Sequence, residues 1–214
     1  MKQNRDWNLK EMRVIGLTGG VGCGKSFVAA VLSKHFPIYV LYTDEIAKRQ
    51  MQPEGESYQA VVKEFGKEIL MPSGEIDRSY LSRKIFADEA AKKRLNQLTH
   101  PRVEQEVLDT ITKLKETKKY LAVFVETALL IEAGYQKFCD EVWYVWASKE
   151  ERIHRLSKFR GYSKERIEAM IHAQACEENF FSCADHVIIN KDDTDVEEIL
   201  IQAERIFLEW SEEK

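Results

Sequence analysis

The stretch 16-GLTGGVGCGKS-26 sets glycine at positions 16, 19, 20, 22 and 24 and follows the last of them with a lysine and a serine. Glycine inside a helix or strand costs about 1 kcal/mol relative to alanine, so a cluster of this kind marks a turn. The residues before it, MRVIGLT (12–18), are an apolar run with β-branched members that reads as a buried strand. Those after it, SFVAAVLSKHF (26–36), carry Val28, Val31, Leu32 and His35 at i, i+3, i+4 and i+7, which predicts a helix. Gly19 to Ser26 is then a strand-to-helix turn that fits G-x-x-x-x-G-K-[ST], the phosphate-binding loop, in the context that pattern requires.

Each residue type has a physical reason. Gly19, Gly20, Gly22 and Gly24, with Val21 and Cys23 between them, let successive N–H groups turn inward as an anion nest. The helix that follows adds unpaired N–H groups and the positive end of its dipole. Lys25 supplies a charge for the β- and γ-phosphates, and Ser26 supplies a hydroxyl for Mg²⁺. Phe27 and the loop residues form the expected ATP site. Cys23, at the positive helix end beside Lys25, is expected to be the most readily alkylated of the four cysteines (23, 139, 176, 183), because both neighbours favour a thiolate.

Composition sets the outer limits. A chain of 214 residues with 44% hydrophobic content can bury one sizeable core. A net charge of −4 argues against general nucleic-acid binding, which needs a basic surface. No run approaches the ~18 apolar residues of a membrane span, and MKQNRDWNLKEM lacks the apolar stretch of a signal peptide. The cysteines are irregularly spaced and contain no C-x-x-C, which suits reduced thiols and a cytoplasmic location.

Beyond the loop, the chain alternates. IYVLYT (38–43) reads as a second strand with Asp44 opening the next helix, where it could also serve as the helix cap. Residues 54–118 read as mostly helical, from YLSRKIF, from EAAKKRLNQL and from a segment that begins at Pro101, since proline suits a first helical turn. YLAVFVE (120–126), EVWYVWAS (141–148) and HVIIN (186–190) read as strands, with a basic helical stretch to residue 176 between the last two. Val196, Ile199, Leu200, Ala203 and Phe207 give the last helix a core face. The histidines at 35, 154, 172 and 186 read as surface or helix residues, and Trp143 and Trp146 as core or its edge. Strands separated by helices predict an α/β fold with a parallel sheet covered on both faces.

Several residues fit phosphoryl transfer. Asp44 ends the second strand, and ligands of open α/β sheets bind at the carboxyl ends of strands; a carboxylate there can orient a hydroxyl and take its proton. Glu126 ends the third strand and is a further candidate for Mg²⁺. The stretch 148–166 has seven Lys or Arg against three Glu, and Arg152 and Arg155 share a helix face. Such arginines over the phosphates would stabilise the transferring group. NKDD (190–193) matches the guanine-reading N-K-x-D, but no aspartate has glycine three residues later, so a GTPase-type switch lacks its second motif.

In order and at matching spacings, IGLTGGVGCGKS, Asp44 with EIAK, IDRSYLSRKIF, LNQLTHPRV, LLIEAGY, ERIHRL, RIEAMIHAQ and VIIN resemble the dephospho-CoA kinases from about residue 13 to 209. The resemblance implies ATP- and Mg²⁺-dependent phosphorylation of the ribose 3′-hydroxyl of dephospho-CoA, the last step of coenzyme A synthesis, with small-molecule partners only and neither nucleic acid nor membrane. It implies a P-loop nucleotide-kinase-like domain over 12–210: a core of 12–44, 119–147 and 177–210, a helical acceptor-binding insertion near 45–118, a helical lid near 148–176, and an N-terminal extension of 1–11. Asp44, Lys25 and Arg155 fall at catalytic positions, Arg155 and Asn190 at the ATP side, and Asp44, Arg78 and His100 at the acceptor side. Departures occur at Tyr42-Thr43, where the family usually has Asp-Ala, and at Ala128, Phe159, Arg160 and Ile189. They leave a second reading open, a diverged kinase of another small hydroxyl-bearing metabolite.

Overall fold

The structure is a computed structural model that describes residues 11–86, 88–174 and 176–212; most of the expected N-terminal extension, residues 1–10, lies outside the described residues. Two compact units divide the chain: one runs to Leu41 and resumes at Ile111, and the other spans Tyr42–Thr110.

The first unit is built on a parallel sheet of five strands in the order β2-β3-β1-β4-β5: β1 (Arg13–Thr18), β2 (Ile38–Tyr42), β3 (Ala122–Glu126), β4 (Glu141–Trp146) and β5 (His186–Ile189). β1 lies at the centre, paired with β3 (Gly16 opposite Val125) and with β4 (Leu17 opposite Trp143). Central strands are covered on both faces, which is why β1 and β3 are runs of apolar residues without alternation: Ile15, Leu17, Val123, Phe124 and Val125 are all buried.

Helix α1 (Lys25–His35) follows the first strand and packs against α9 (Val196–Glu212). Val28, Val31 and Leu32 are buried, as their spacing predicts, but His35 is exposed. It lies in the last turn with Lys34, where a positive charge suits the negative end of the helix dipole. On α9, Ile199, Ala203 and Phe207 are buried, whereas Val196, expected in the core, is exposed at the first residue of the helix. Phe207 stacks at a tilt on Trp143 of β4, with ring centroids 5.3 Å apart, and touches Trp210 edge-on at 4.9 Å. Trp146 is half-buried and donates to Glu177. His186 sits within β5, against Trp143 and 3.5 Å from Glu141, so it is a half-buried strand residue.

The second unit is helical: α2 (Thr43–Gln50), α3 (Tyr58–Phe65), α4 (Arg78–Phe86) and most of α5 (Glu89–Thr117). Tyr58, Val61, Phe65, Ile69, Leu81 and Leu95 form its core. Pro101 does not start a helix. It lies inside α5, where its missing N–H frees the carbonyl of Gln97 without ending the helix; nearby, Thr99 Oγ1 donates to Leu95 O (3.0 Å) and Arg102 Nη1 to Leu98 O (2.9 Å). The basic stretch of the first unit is two helices, α6 (Lys149–Arg160) and α7 (Lys164–His172), separated at Gly161, and α8 (Glu177–Cys183) precedes β5.

Candidate active site

The loop Gly19–Gly24 leaves the carboxyl end of the central strand and enters α1 at Lys25. Gly24 caps the helix in a left-handed conformation (φ 89°) that glycine alone adopts without strain. Lys25 is buried, and its Nζ donates to Gly19 O at 3.0 Å, so the ammonium crosses the mouth of the loop. Ser26 Oγ donates to Glu126 Oε1 at 3.3 Å, and Glu126 is itself buried at the end of β3. Thr18 Oγ1, at the end of β1, is buried with no hydrogen-bond partner among the described residues. Phe27 is exposed at the start of α1.

Cys23 disagrees with the expectation of a reactive thiol. Its side chain is 1% exposed and turns inward beneath the loop, where a Cβ on Gly19 would lie 2.8 Å from its sulfur. Cys23 is instead a small packing residue whose compact side chain sits beside the end of β4. Cys176 is the exposed cysteine.

A second layer holds the loop from above. α6 begins with a capping box: Ser148 Oγ accepts from Glu151 N (3.2 Å) and Glu151 Oε2 accepts from Ser148 N (2.8 Å). The other Glu151 oxygen accepts from Asp192 N at 2.8 Å, tying the helix start to the segment after β5. Arg155 donates from Nε to Asp192 Oδ1 (2.8 Å), from Nη1 to Cys23 O (3.3 Å) and from Nη2 to Asn190 O (2.9 Å). Burial alone would raise the Asp192 carboxyl, but the hydrogen bond and charge of Arg155, helped by His154, hold it below the usual carboxylate range. Asn190 is buried and donates from Nδ2 to Cys23 O at 2.7 Å. One of its two amide N–H groups is thereby directed at the loop backbone.

Two contacts went unassigned in the sequence. Gln174 Oε1 accepts from Val21 N at 2.6 Å, and Arg152 Nε donates to Val21 O at 2.8 Å. Together they hold the two peptide groups that flank Val21. The shared face of Arg152 and Arg155 was a legible signal; Gln174 lies in an irregular segment past α7 with no periodicity to mark it.

Asp44, Arg78 and His100 belong to the helical unit. Asp44 is exposed and is not the cap: the N-cap position of α2 is Tyr42, which makes no side-chain cap bond, and Asp44 lies in the first turn. Arg78, at the start of α4, donates to Lys48 O at 2.8 Å and edges a cleft of ≈ 290 Å³ with Met51, Met71 and Ile76. His100 is half-buried midway along α5, and burial pulls its pKa down; it makes no hydrogen bond with Asp44 or Arg78 among the described residues. Gly19–Ser26, Glu126, Arg155 and Asn190 thus come together in the first unit, whereas Asp44, Arg78 and His100 belong to the second.

No helix among the described residues is long and apolar enough to cross a membrane. They also contain no cluster of three or more His, Cys, Asp or Glu able to hold a metal ion.

Comparison with known proteins follows the same lines. A family model described as dephospho-CoA kinase matches residues 13–196. A dephospho-CoA kinase of Geobacter sulfurreducens is 37% identical over 163 residues, covering 76% of this chain and 82% of that protein. A crystal structure from Thermus thermophilus superposes with a TM-score of 0.77 at 31% identity, over 95% of this chain and 99% of the other. The dephospho-CoA kinase of Campylobacter jejuni superposes with a TM-score of 0.67 at 25% identity, over 92% of this chain and 98% of the other.

Proposed function

The chain belongs to the dephospho-CoA kinase family, and on that premise we propose that it transfers the terminal phosphoryl group of ATP to the ribose 3′-hydroxyl of dephospho-CoA, giving coenzyme A. The observation that carries this is the intact loop Gly19–Ser26 at the end of the central strand, with Lys25 across its mouth and Arg155 and Asn190 on its back. Loop amides, Lys25 and Arg155 stabilise the phosphates, which suits a reaction in which positioning and charge do most of the catalysis. Asp44 takes the proton of the attacking hydroxyl. Arg78 and His100, with the cleft beside Arg78, serve the acceptor. The family-like build assigns the helical insertion (45–118) to the acceptor and residues 148–176 to a lid over the donor.

The residues also fit a magnesium ion. Ser26 and Glu126 are hard oxygen donors 3.3 Å apart, and Mg²⁺ is commonly held by one or two protein oxygens plus phosphates rather than by an all-protein cage. Ser26 and Glu126 would hold it, and it would supply positive charge toward the donor phosphates. Four free cysteines suit a reducing cytoplasm. The test is ADP release with ATP and Mg²⁺ against a panel of acceptors. Turnover selective for dephospho-CoA supports the reading; turnover on other hydroxyl compounds, with dephospho-CoA untouched, would favour a diverged kinase.

A further inference from the structure

Arg152 is a half-buried cation with no carboxylate partner among the described residues. The Nε bond to Val21 O at 2.8 Å is the one hydrogen bond of its side chain among the described residues. That bond lays the guanidinium flat on the loop: a Cβ on Gly20 would overlap it, with Nη1 2.7 Å away. Both Nη groups are left without an acceptor. Arg155, one helical turn on, is the opposite case, since each of its three nitrogens already donates to protein oxygen. Arg160, at the end of the same helix, is exposed.

The place matters as much as the missing partner. Lys25 Nζ sits on Gly19 O at 3.0 Å, and in such a loop the lysine meets the terminal phosphates. The rim Gly19–Val21 is therefore where the γ-phosphoryl group arrives, and Arg152 lies on that rim. Holding a partly desolvated guanidinium without an anion is unfavourable, so the arrangement is suited to an anion brought by the substrate. Glycine at position 20 is what lets the guanidinium come so close.

We propose that Arg152 is a further catalytic residue, donating from Nη1 and Nη2 to the oxygens of the phosphoryl group in transit. The proposal rests on the reading of Gly19–Ser26 as the donor-nucleotide site. In the step, the bond from the γ-phosphorus to the bridging oxygen breaks and its electron pair leaves with ADP. The acceptor 3′-oxygen forms the new bond to phosphorus, and its proton passes to Asp44. Charge spread over the three equatorial oxygens is what Arg152 meets.

The test compares Arg152→Ala and Arg152→Lys with the unaltered protein, for kcat with dephospho-CoA and for affinity toward ATP and toward ADP with aluminium fluoride. Loss of one transition-state donor commonly costs ~10²- to 10³-fold in kcat, and that is the expected fall for Arg152→Ala. ATP affinity should stay within about threefold, as for a group engaged only in the transition state. Affinity for ADP–aluminium fluoride should fall with kcat, and added guanidinium ion should restore part of the Ala variant's activity. Arg152→Lys should lie between the two. A kcat within about threefold of the parent, or equal losses toward ATP and ADP–aluminium fluoride, would reduce Arg152 to a brace of the loop. If the parent protein does not phosphorylate dephospho-CoA, the reading of the acceptor fails, while the two nucleotide affinities still decide the role of Arg152.

Discussion

Asp44 is exposed in the first turn of α2 and caps nothing, so its replacement separates chemistry from folding. Its only structural contribution is to the positive end of a helix dipole, worth about 0.3–1 kcal/mol. Asp44→Asn should therefore leave stability within ~1 kcal/mol while kcat falls about 10²- to 10⁴-fold, the usual share of a general base, with ATP affinity little changed. Steady-state kinetics beside a thermal melt would read both; near-normal kcat would remove Asp44 from the mechanism. The cysteines offer a second contrast at this scale. Burial, with the charge of Asp140, pushes the Cys139 thiol up to about 12, and burial also raises Cys183. Cys23 is sealed beneath the loop. Limited iodoacetamide treatment followed by peptide mapping should label Cys176 first and leave activity intact. Early labelling of Cys23 would mean that the loop opens far more than its packing implies. The sequence favoured Cys23 because charge and dipole are local and can be read along the chain. The direction of its side chain is set by β4, more than a hundred residues away, and cannot.

Elements were legible where periodicity was strong. The apolar runs of β1, β3 and β4, the face of α1, and Ile199, Ala203 and Phe207 on α9 follow directly from which residues must avoid water. The failures have local causes. Pro101 was read as a helix start because proline suits a first helical turn, yet it lies inside α5, which continues through it. The basic stretch after β4 read as helical to residue 176, and Gly161, in a left-handed conformation (φ 62°), divides it by ending α6. The loop motif could be read outright from its glycines, Lys25 and Ser26, but its second layer could not. Gln174, Asn190 and Asp192 meet the loop only through tertiary structure. One element-scale consequence can be measured. The capping box of α6 fixes the turn that carries Arg152 and Arg155, so Ser148→Ala should cost about 1 kcal/mol and lower Tm by roughly 2–4 °C in a chain of this size. An unchanged Tm would show that packing against the loop, and not the cap, sets the start of α6.

At the scale of the molecule, the strand order β2-β3-β1-β4-β5 puts the loop at the carboxyl end of the middle strand. There β3 delivers Glu126, and the segments after β4 and β5 deliver the arginines and Asn190. This is the ligand position expected of an open parallel sheet. The outer edge at β5 is closed by a side chain: Gln202 of α9 accepts from Ile189 N (2.8 Å) and donates to Ile189 O (3.0 Å), which blunts an edge that would otherwise invite strand pairing. The sheet accounts for nucleotide chemistry in general, and shared fold alone does not name an acceptor; the acceptor follows from family membership. The direct measurement is phosphorus NMR with mass spectrometry of the product formed from ATP, Mg²⁺ and dephospho-CoA. A new phosphomonoester on the ribose 3′-oxygen, identical to coenzyme A and formed as ADP appears, is the expected result. ADP formed without that ester, or a phosphate carried at another hydroxyl, would contradict it.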